Sequence, residues 1–307
     1  MGRFLNLGII QMAVSQNHQE NLEKIESMVE MLMQSFHKPE IIVGVEFGVS
    51  ETTADTIPGA ITDFLGSLAK KHGVYLIPGS LPERAEGLPD GSFHNTAPVF
   101  NPQGEMIAVY RKMCPWYPAE ESVPGQEYVV FEIPEKDVTI GVQICYDIMF
   151  YELSRNLALQ GAEVIINLAM DPDPLYLPYR TMPIARAVEN QAYFIHTNGV
   201  GGGFGSSLYG HTMVVNPEAK ILWEGGSAES ACTVTLDLDL VRKARSKGTL
   251  HMHPLLNDLK EYSLPMPYSS QLKNAPVFQK LTPPACNKEE YLDKAARFGV
   301  GDLHKTK

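Results

Sequence analysis

One order of elements occurs twice along this chain, and that repetition constrains the fold more than any single segment does. In the first half, Leu5, Leu7 and Ile9 alternate as a strand does. Leu22, Ile25, Val29, Leu32 and Phe36 then recur at steps of three and four, the period of an amphipathic helix. A strand at 41–46, a helix carrying Phe64, Leu65 and Leu68 that ends near Gly73, and a strand at 74–78 follow. Segments 96–100 and 105–110 flank Asn101-Pro102-Gln103-Gly104, a hairpin turn. The second half runs in the same order: strand 138–145, helix 150–159, strand 163–168, helix 183–191, strand 192–197, and a hairpin at Asn216-Pro217-Glu218-Ala219. Even the hairpin entries match, Val99-Phe100-Asn101-Pro102 beside Val214-Val215-Asn216-Pro217. Two mixed sheets with helices, related by an internal pseudo-two-fold repeat, bury most surface when packed sheet against sheet. The expected fold is an α/β protein, a four-layer αββα sandwich with the helices outside.

That repeat occupies residues 1–240. Beyond it, 241–307 holds Pro254, Pro265, Pro267, Pro276, Pro283 and Pro284 with little periodicity, yet it keeps Leu255, Leu256, Leu259, Val277 and Phe278. Such a segment is expected to wrap over its own domain or a neighbouring subunit.

Composition narrows the partners. Among 307 residues, 44% hydrophobic and 20% charged, the formal charge is −11, whereas nucleic acid and anionic membranes both reward a basic surface. No apolar run has membrane length, and Met1-Gly2-Arg3 leads directly into a strand without the layout of a signal peptide. Cys114, Cys145, Cys232 and Cys286 are widely scattered, with no CxxC pair to hold zinc or form a redox dithiol. Free thiols fit a reducing cytoplasm. His251 and His253 have no third ligand at useful spacing, and the Gly201–Gly205 loop lacks a following Lys-Ser or Lys-Thr, so neither a metal nor a phosphate site is expected.

Three polar residues end apolar strands: Glu46 after Ile41-Ile42-Val43-Gly44-Val45, Lys112 after the 106–110 run, and Cys145 after Val138-Thr139-Ile140-Gly141-Val142-Gln143-Ile144. An isolated strand cysteine is ordinarily inert core, and a terminal Glu or Lys ordinarily faces solvent. A carboxylate, an ammonium and a thiol together are the parts of a covalent acyl-transfer site. A nearby ammonium and helix N-terminus favour the thiolate. Glu120 and Glu121 follow the Pro-rich turn, where a second site carboxylate competes with a plain solvated loop.

Gly44-Val45-Glu46-Phe47, Tyr110-Arg111-Lys112 and Val142-Gln143-Ile144-Cys145-Tyr146-Asp147 resemble the motifs of the nitrilase, or carbon–nitrogen hydrolase, superfamily. Support comes from Gly161-Ala162-Glu163-Val164-Ile165 and Ala185-Arg186-Ala187-Val188-Glu189-Asn190-Gln191. The resemblance covers roughly residues 4–240 and is nearest the aliphatic amidase and formamidase branch. It implies a Glu46–Lys112–Cys145 triad, Glu120 as second glutamate, and hydrolysis of a small neutral amide through a thioester, with no metal or organic cofactor. It also implies a homo-oligomer built from dimers. Trp116, Tyr117, Phe47 and Tyr146 are the expected substrate-binding residues. Phe47 stands where the amidases carry Tyr, and Ser122 where they carry Trp, a change expected to enlarge the pocket. N-carbamoyl amines and nitriles are alternative substrates for the same triad, and a catalytically idle interaction subunit is the non-enzyme alternative.

Overall fold

The computed structural model describes residues 2–203, 206–249, 252 and 254–261, together with Val277 and Glu289. The first half supplies β1 (Phe4–Gln11), α1 (His18–Gln34), β2 (Ile41–Val45), α2 (Ala60–His72), β3 (Tyr75–Gly79), β4 (Leu81–Glu83), β5 (His94–Phe100) and β6 (Met106–Arg111). The second supplies β7 (Val129–Ile133), β8 (Val138–Ile144), α3 (Tyr151–Leu159), β9 (Val164–Ala169), α4 (Tyr176–Tyr179), α5 (Met182–Asn190) and β10 (Tyr193–Asn198). After these come β11 (Val200–Gly203), β12 (Ser206–Tyr209), β13 (Met213–Val215), β14 (Ile221–Glu224), β15 (Ser230–Asp237), α6 (Asp239–Lys247) and α7 (Leu255–Asp258).

Two large mixed sheets result. The first runs β15–β1–β2–β3–β5, with β4 and β6 also paired to β5; the second runs β14–β13–β10–β9–β8–β7. The repeat is visible in strand direction. β1, β2 and β3 are parallel and β5 and β6 antiparallel; β8, β9 and β10 are parallel and β13 and β14 antiparallel. The two hairpin turns share one hydrogen-bond pattern. Asn101 Oδ1 accepts from the amides of Gln103 and Glu105, as Asn216 Oδ1 accepts from those of Glu218 and Lys220. An Asx turn accounts for an Asn at each site.

Side-chain alternation sorts the core into three layers. Leu5, Leu7, Ile9, Ile41 and Val43 meet Ile140, Val142, Val164, Ile166 and Ile195 between the sheets. Leu22, Ile25, Val29, Leu65 and Leu68 cover the outer face of the first sheet. Leu157 and Ala187 cover that of the second. This is the expected αββα sandwich.

Differences from the sequence reading lie at element ends. α1 stops at Gln34, so Phe36, in phase with the helix, is 95% exposed beyond it. β15 was not foreseen; it pairs antiparallel with β1 along eight residues and closes an edge of the first sheet. α6 runs across the expected boundary at 240, buries Val241 and Ala244, and has Arg245 donating to the carbonyls of Gln191 and Ala162. Most of 262–307, Cys286 included, and both His251 and His253 lie outside the described residues, as do positions 204 and 205 of the glycine loop. Among the described residues, no helix is long and apolar enough to cross a membrane.

Candidate active site

Glu46 leaves the C-terminal end of β2, Lys112 that of β6 and Cys145 that of β8, while Glu120 sits in the loop after β6. The fold brings the four together in its interior, at 0%, 1%, 6% and 4% exposure respectively. Lys112 Nζ donates to Glu46 Oε1 at 2.8 Å and to Glu120 Oε2 at 2.5 Å. Asn95 Nδ2 lies 2.9 Å from Glu46 Oε1 and 2.9 Å from Glu120 Oε1, clamping both carboxylates to one amide. The Lys112 backbone is fixed by donating to Asn95 O and accepting from Gly125 N, and Arg111 beside it pairs with buried Glu83. An ammonium held between two buried carboxylates is a preorganised charge rather than a solvated side chain.

Cys145 has φ 47°, in the left-handed region, as does Phe47 with φ 49°. Such a backbone costs about 1–3 kcal/mol and survives only where its surroundings enforce it. Asp147 does so. It accepts from Ile144 N at 2.9 Å, Tyr110 Oη at 2.6 Å and Cys114 N at 2.8 Å, tying the cysteine turn to the strand and loop that carry Lys112. The turn, Cys145–Met149, is a single 3₁₀ segment.

Electrostatics set the resting protonation states. Burial raises the Glu46 carboxyl to about 7, partly offset by Lys112. Burial opposes ionisation of Glu120 as well, yet Lys112, Asn95 and Ser122 outweigh it and leave its carboxyl below the ordinary value. Burial works against the Lys112 ammonium, but Glu46, Cys145 and Glu120 push it well above its usual range. Burial, then Glu46, push the Cys145 thiol well up, with Lys112 opposing them. Lys112 favours the thiolate, as the sequence reading expects, but burial outweighs it. The thiol is protonated and needs a base, and Glu46 has an oxygen to accept its proton. Glu46 Oε2 is buried and takes no hydrogen bond from the protein, and the Cys145 thiol is a neighbour of the Glu46 carboxyl.

Around this centre, Trp116 donates its backbone N–H to Glu120 Oε2 at 3.2 Å, and Tyr117 is half exposed. Tyr146 stacks edge-on against Phe150. Phe47 is buried in the apolar layer beneath α1 and α2, its N–H donating to Ser80 Oγ. Ser122 is buried and donates to Glu120 Oε1 at 2.7 Å, so the small residue there is a hydrogen-bonding partner of the glutamate rather than simply space. Asn95, Asp147 and Asp171 were missed. Asp147 lay within the cysteine motif and Asn95 is a buried Asn inside a strand, a weak signal; Asp171 had none.

An αββα sandwich with Glu, Lys and Cys gathered at its strand ends is the nitrilase class of architecture. The carbon–nitrogen hydrolase family model matches residues 6–246, and the chain belongs to that family. Over 273 residues it is 29% identical to omega-amidase NIT2 of Danio rerio, covering 80% of this chain and 93% of the relative. Over 251 residues it is 28% identical to 2-oxoglutaramate amidase of Bacillus subtilis, covering 79% and 92%. The crystal structure of Nit3 from Saccharomyces cerevisiae, a member of branch 10 of the nitrilase superfamily, superposes with a TM-score of 0.72 at 25% identity, covering 79% of this chain and 93% of that one.

Proposed function

We propose that this carbon–nitrogen hydrolase cleaves a small linear amide to a carboxylic acid and ammonia through a thioester on Cys145. The observation that carries this reading is the burial of Cys145 and Glu46 together with a Lys112 ammonium fixed between the Glu46 and Glu120 carboxylates. Glu46 takes the thiol proton as Sγ bonds to the amide carbon. The resulting oxyanion is met by Lys112 Nζ and the backbone N–H of Tyr146. Collapse breaks the C–N bond as Glu46 returns the proton to the departing nitrogen. Water, deprotonated by Glu46, then adds to the thioester; the C–S bond breaks and Cys145 regains its proton. Glu120 holds Lys112 and orients the amide or the water, while Trp116, Tyr117 and Tyr146 shape the pocket and Phe47, expected there from the sequence, packs instead in the apolar layer beneath α1 and α2. No step requires a metal or organic cofactor. A homo-oligomer built from dimers belongs to the same reading.

The test is ammonia release from formamide, acetamide, propionamide, a longer amide, 2-oxoglutaramate, an N-carbamoyl amine and a nitrile. Turnover of neutral amides is the expected result. Turnover confined to 2-oxoglutaramate would move the substrate to that of the Bacillus relative, and activity on only the last two would replace the amidase reading.

The acid limb of the rate profile follows from Glu46. Its carboxyl, raised to about 7, is protonated below that pH and cannot take the thiol proton. The value of kcat/KM for acetamide is therefore expected to fall about tenfold per pH unit below the midpoint. A profile flat down to pH 5 would mean a base with an ordinary carboxylate value.

A further inference from the structure

A second carboxylate touches the nucleophile, and the mechanism above leaves it unused. Asp171 lies just past β9, the second-half counterpart of β2, so it leaves its sheet much as Glu46 leaves the first. It is 2% exposed, and its Oδ1 accepts from Cys145 Sγ at 3.2 Å. Its other oxygen is already served, because Tyr209 Oη donates to Oδ2 at 3.0 Å and His196 Nε2 lies 3.2 Å from it.

A polar ladder stands behind it. Gln143, Asn167 and His196 are register partners on β8, β9 and β10. Ser154 Oγ donates to Gln143 Oε1 at 2.8 Å, Gln143 Nε2 to Asn167 Oδ1 at 3.1 Å, and Asn167 Nδ2 lies 2.9 Å from His196 Nδ1. With Nδ1 accepting, His196 carries its hydrogen on Nε2 and aims it at Asp171. Every donor in the run points the same way, toward a carboxylate held anionic. The Asp171 backbone is fixed too, its N–H donating to Asn198 Oδ1 at 2.7 Å.

Acylation changes what this carboxylate faces. Once Sγ carries an acyl group the S–H is gone, and Oδ1 loses the donor it has in the resting protein while remaining buried. A buried carboxylate oxygen without a donor is costly. The acyl carbon is bonded to Sγ, and its neighbouring carbon is one bond further out. A donor on that second carbon falls within hydrogen-bonding reach of an oxygen 3.2 Å from Sγ. We propose that Asp171 is a specificity-determining residue, selecting amides that bear a hydroxyl or amino group on the carbon next to the scissile carbonyl. The proposal rests on the thioester reading given above and names the substrate class within it.

Propionamide, lactamide and alaninamide test it, being nearly equal in size and differing in the group on that one carbon. For the wild type, kcat/KM for lactamide or alaninamide is expected to exceed that for propionamide by about tenfold or more. Preference for lactamide would assign a hydroxyl, and preference for alaninamide an amine. In Asp171→Asn, Tyr209 and His196 hold the amide oxygen in the place of Oδ2 and turn Nδ2 toward Sγ, replacing an acceptor with a donor. The preference over propionamide is expected to fall to about one. A wild-type ratio at or below one overturns the proposal without any variant. So does an equal loss on all three amides in Asp171→Asn, which would assign the carboxylate to the thiol, the departing ammonia or the attacking water. Failure of the wild type on all three while another amide of the panel is consumed overturns this proposal alone, and failure on every amide overturns the amidase reading with it.

Discussion

Cys145→Ala protein is expected to release no ammonia above the uncatalysed background from any amide that the wild type consumes, a loss of about 10⁴-fold or more. The thiol is the atom that bonds to carbon, and Cys114 is no substitute for it. Cys114 stands behind Asp147 in the neighbouring loop, its thiol pushed up to about 12 by burial, then by Asp147. Folding should survive the change. Removing Sγ from a left-handed position exchanges one strained side chain for a smaller one, and the contacts that fix the turn belong to Asp147. The variant's unfolding midpoint is therefore expected to match or exceed that of the wild type. Undiminished ammonia release from the purified, folded variant would remove the covalent mechanism altogether. Loss of activity together with loss of fold would leave that loss uninterpretable, so both are measured on one preparation.

Glu46, Lys112 and Cys145 were legible because each ends an apolar strand, where a charged or reactive group is conspicuous. Glu120 and Glu121 were both candidates for a second site carboxylate, and only the resemblance chose Glu120, since a Glu in a Pro-rich loop has no period to mark it. The polar ladder was not legible for a different reason. Gln143, Asn167 and His196 meet only because β8, β9 and β10 pair in one register, and parallel register across intervening helices is set by packing that no local pattern records. β15 stayed hidden likewise, because its partner β1 is over 200 residues away in the chain. Ser122 was read by volume, and the structure adds a hydrogen bond from its hydroxyl to Glu120. For Cys145 the sequence displays a nearby lysine but not the extent of burial, which is the larger influence on its thiol.

Lys112→Ala is expected to lose about 10³-fold in kcat/KM, more than a solvated lysine could supply. One well-placed donor to an oxyanion contributes about 3–4 kcal/mol, and losing it accounts for most of that factor. The remainder comes from Glu46. Without the ammonium, Glu46 and Glu120 face each other through Asn95 with no cation between them, so the Glu46 carboxyl rises further and less of it is the base at neutral pH. The acid limb of the profile is accordingly expected to move to higher pH in the variant. Stability supplies a second readout with a definite sign. Burying charge without its partner costs about 3–5 kcal/mol, here borne by ionised carboxylates. Glu46 already titrates near 7 against an ordinary 4.5. With its folded value above its unfolded one, the folded state binds the extra proton, so stability is lost as pH rises through that window. Removing Lys112 widens the gap, and the variant should recover stability relative to the wild type on acidification from pH 8 to pH 5, seen as converging unfolding midpoints. A lysine that merely faced solvent would give a constant difference in midpoint and a modest loss of rate. That pattern would leave the oxyanion to the Tyr146 amide alone.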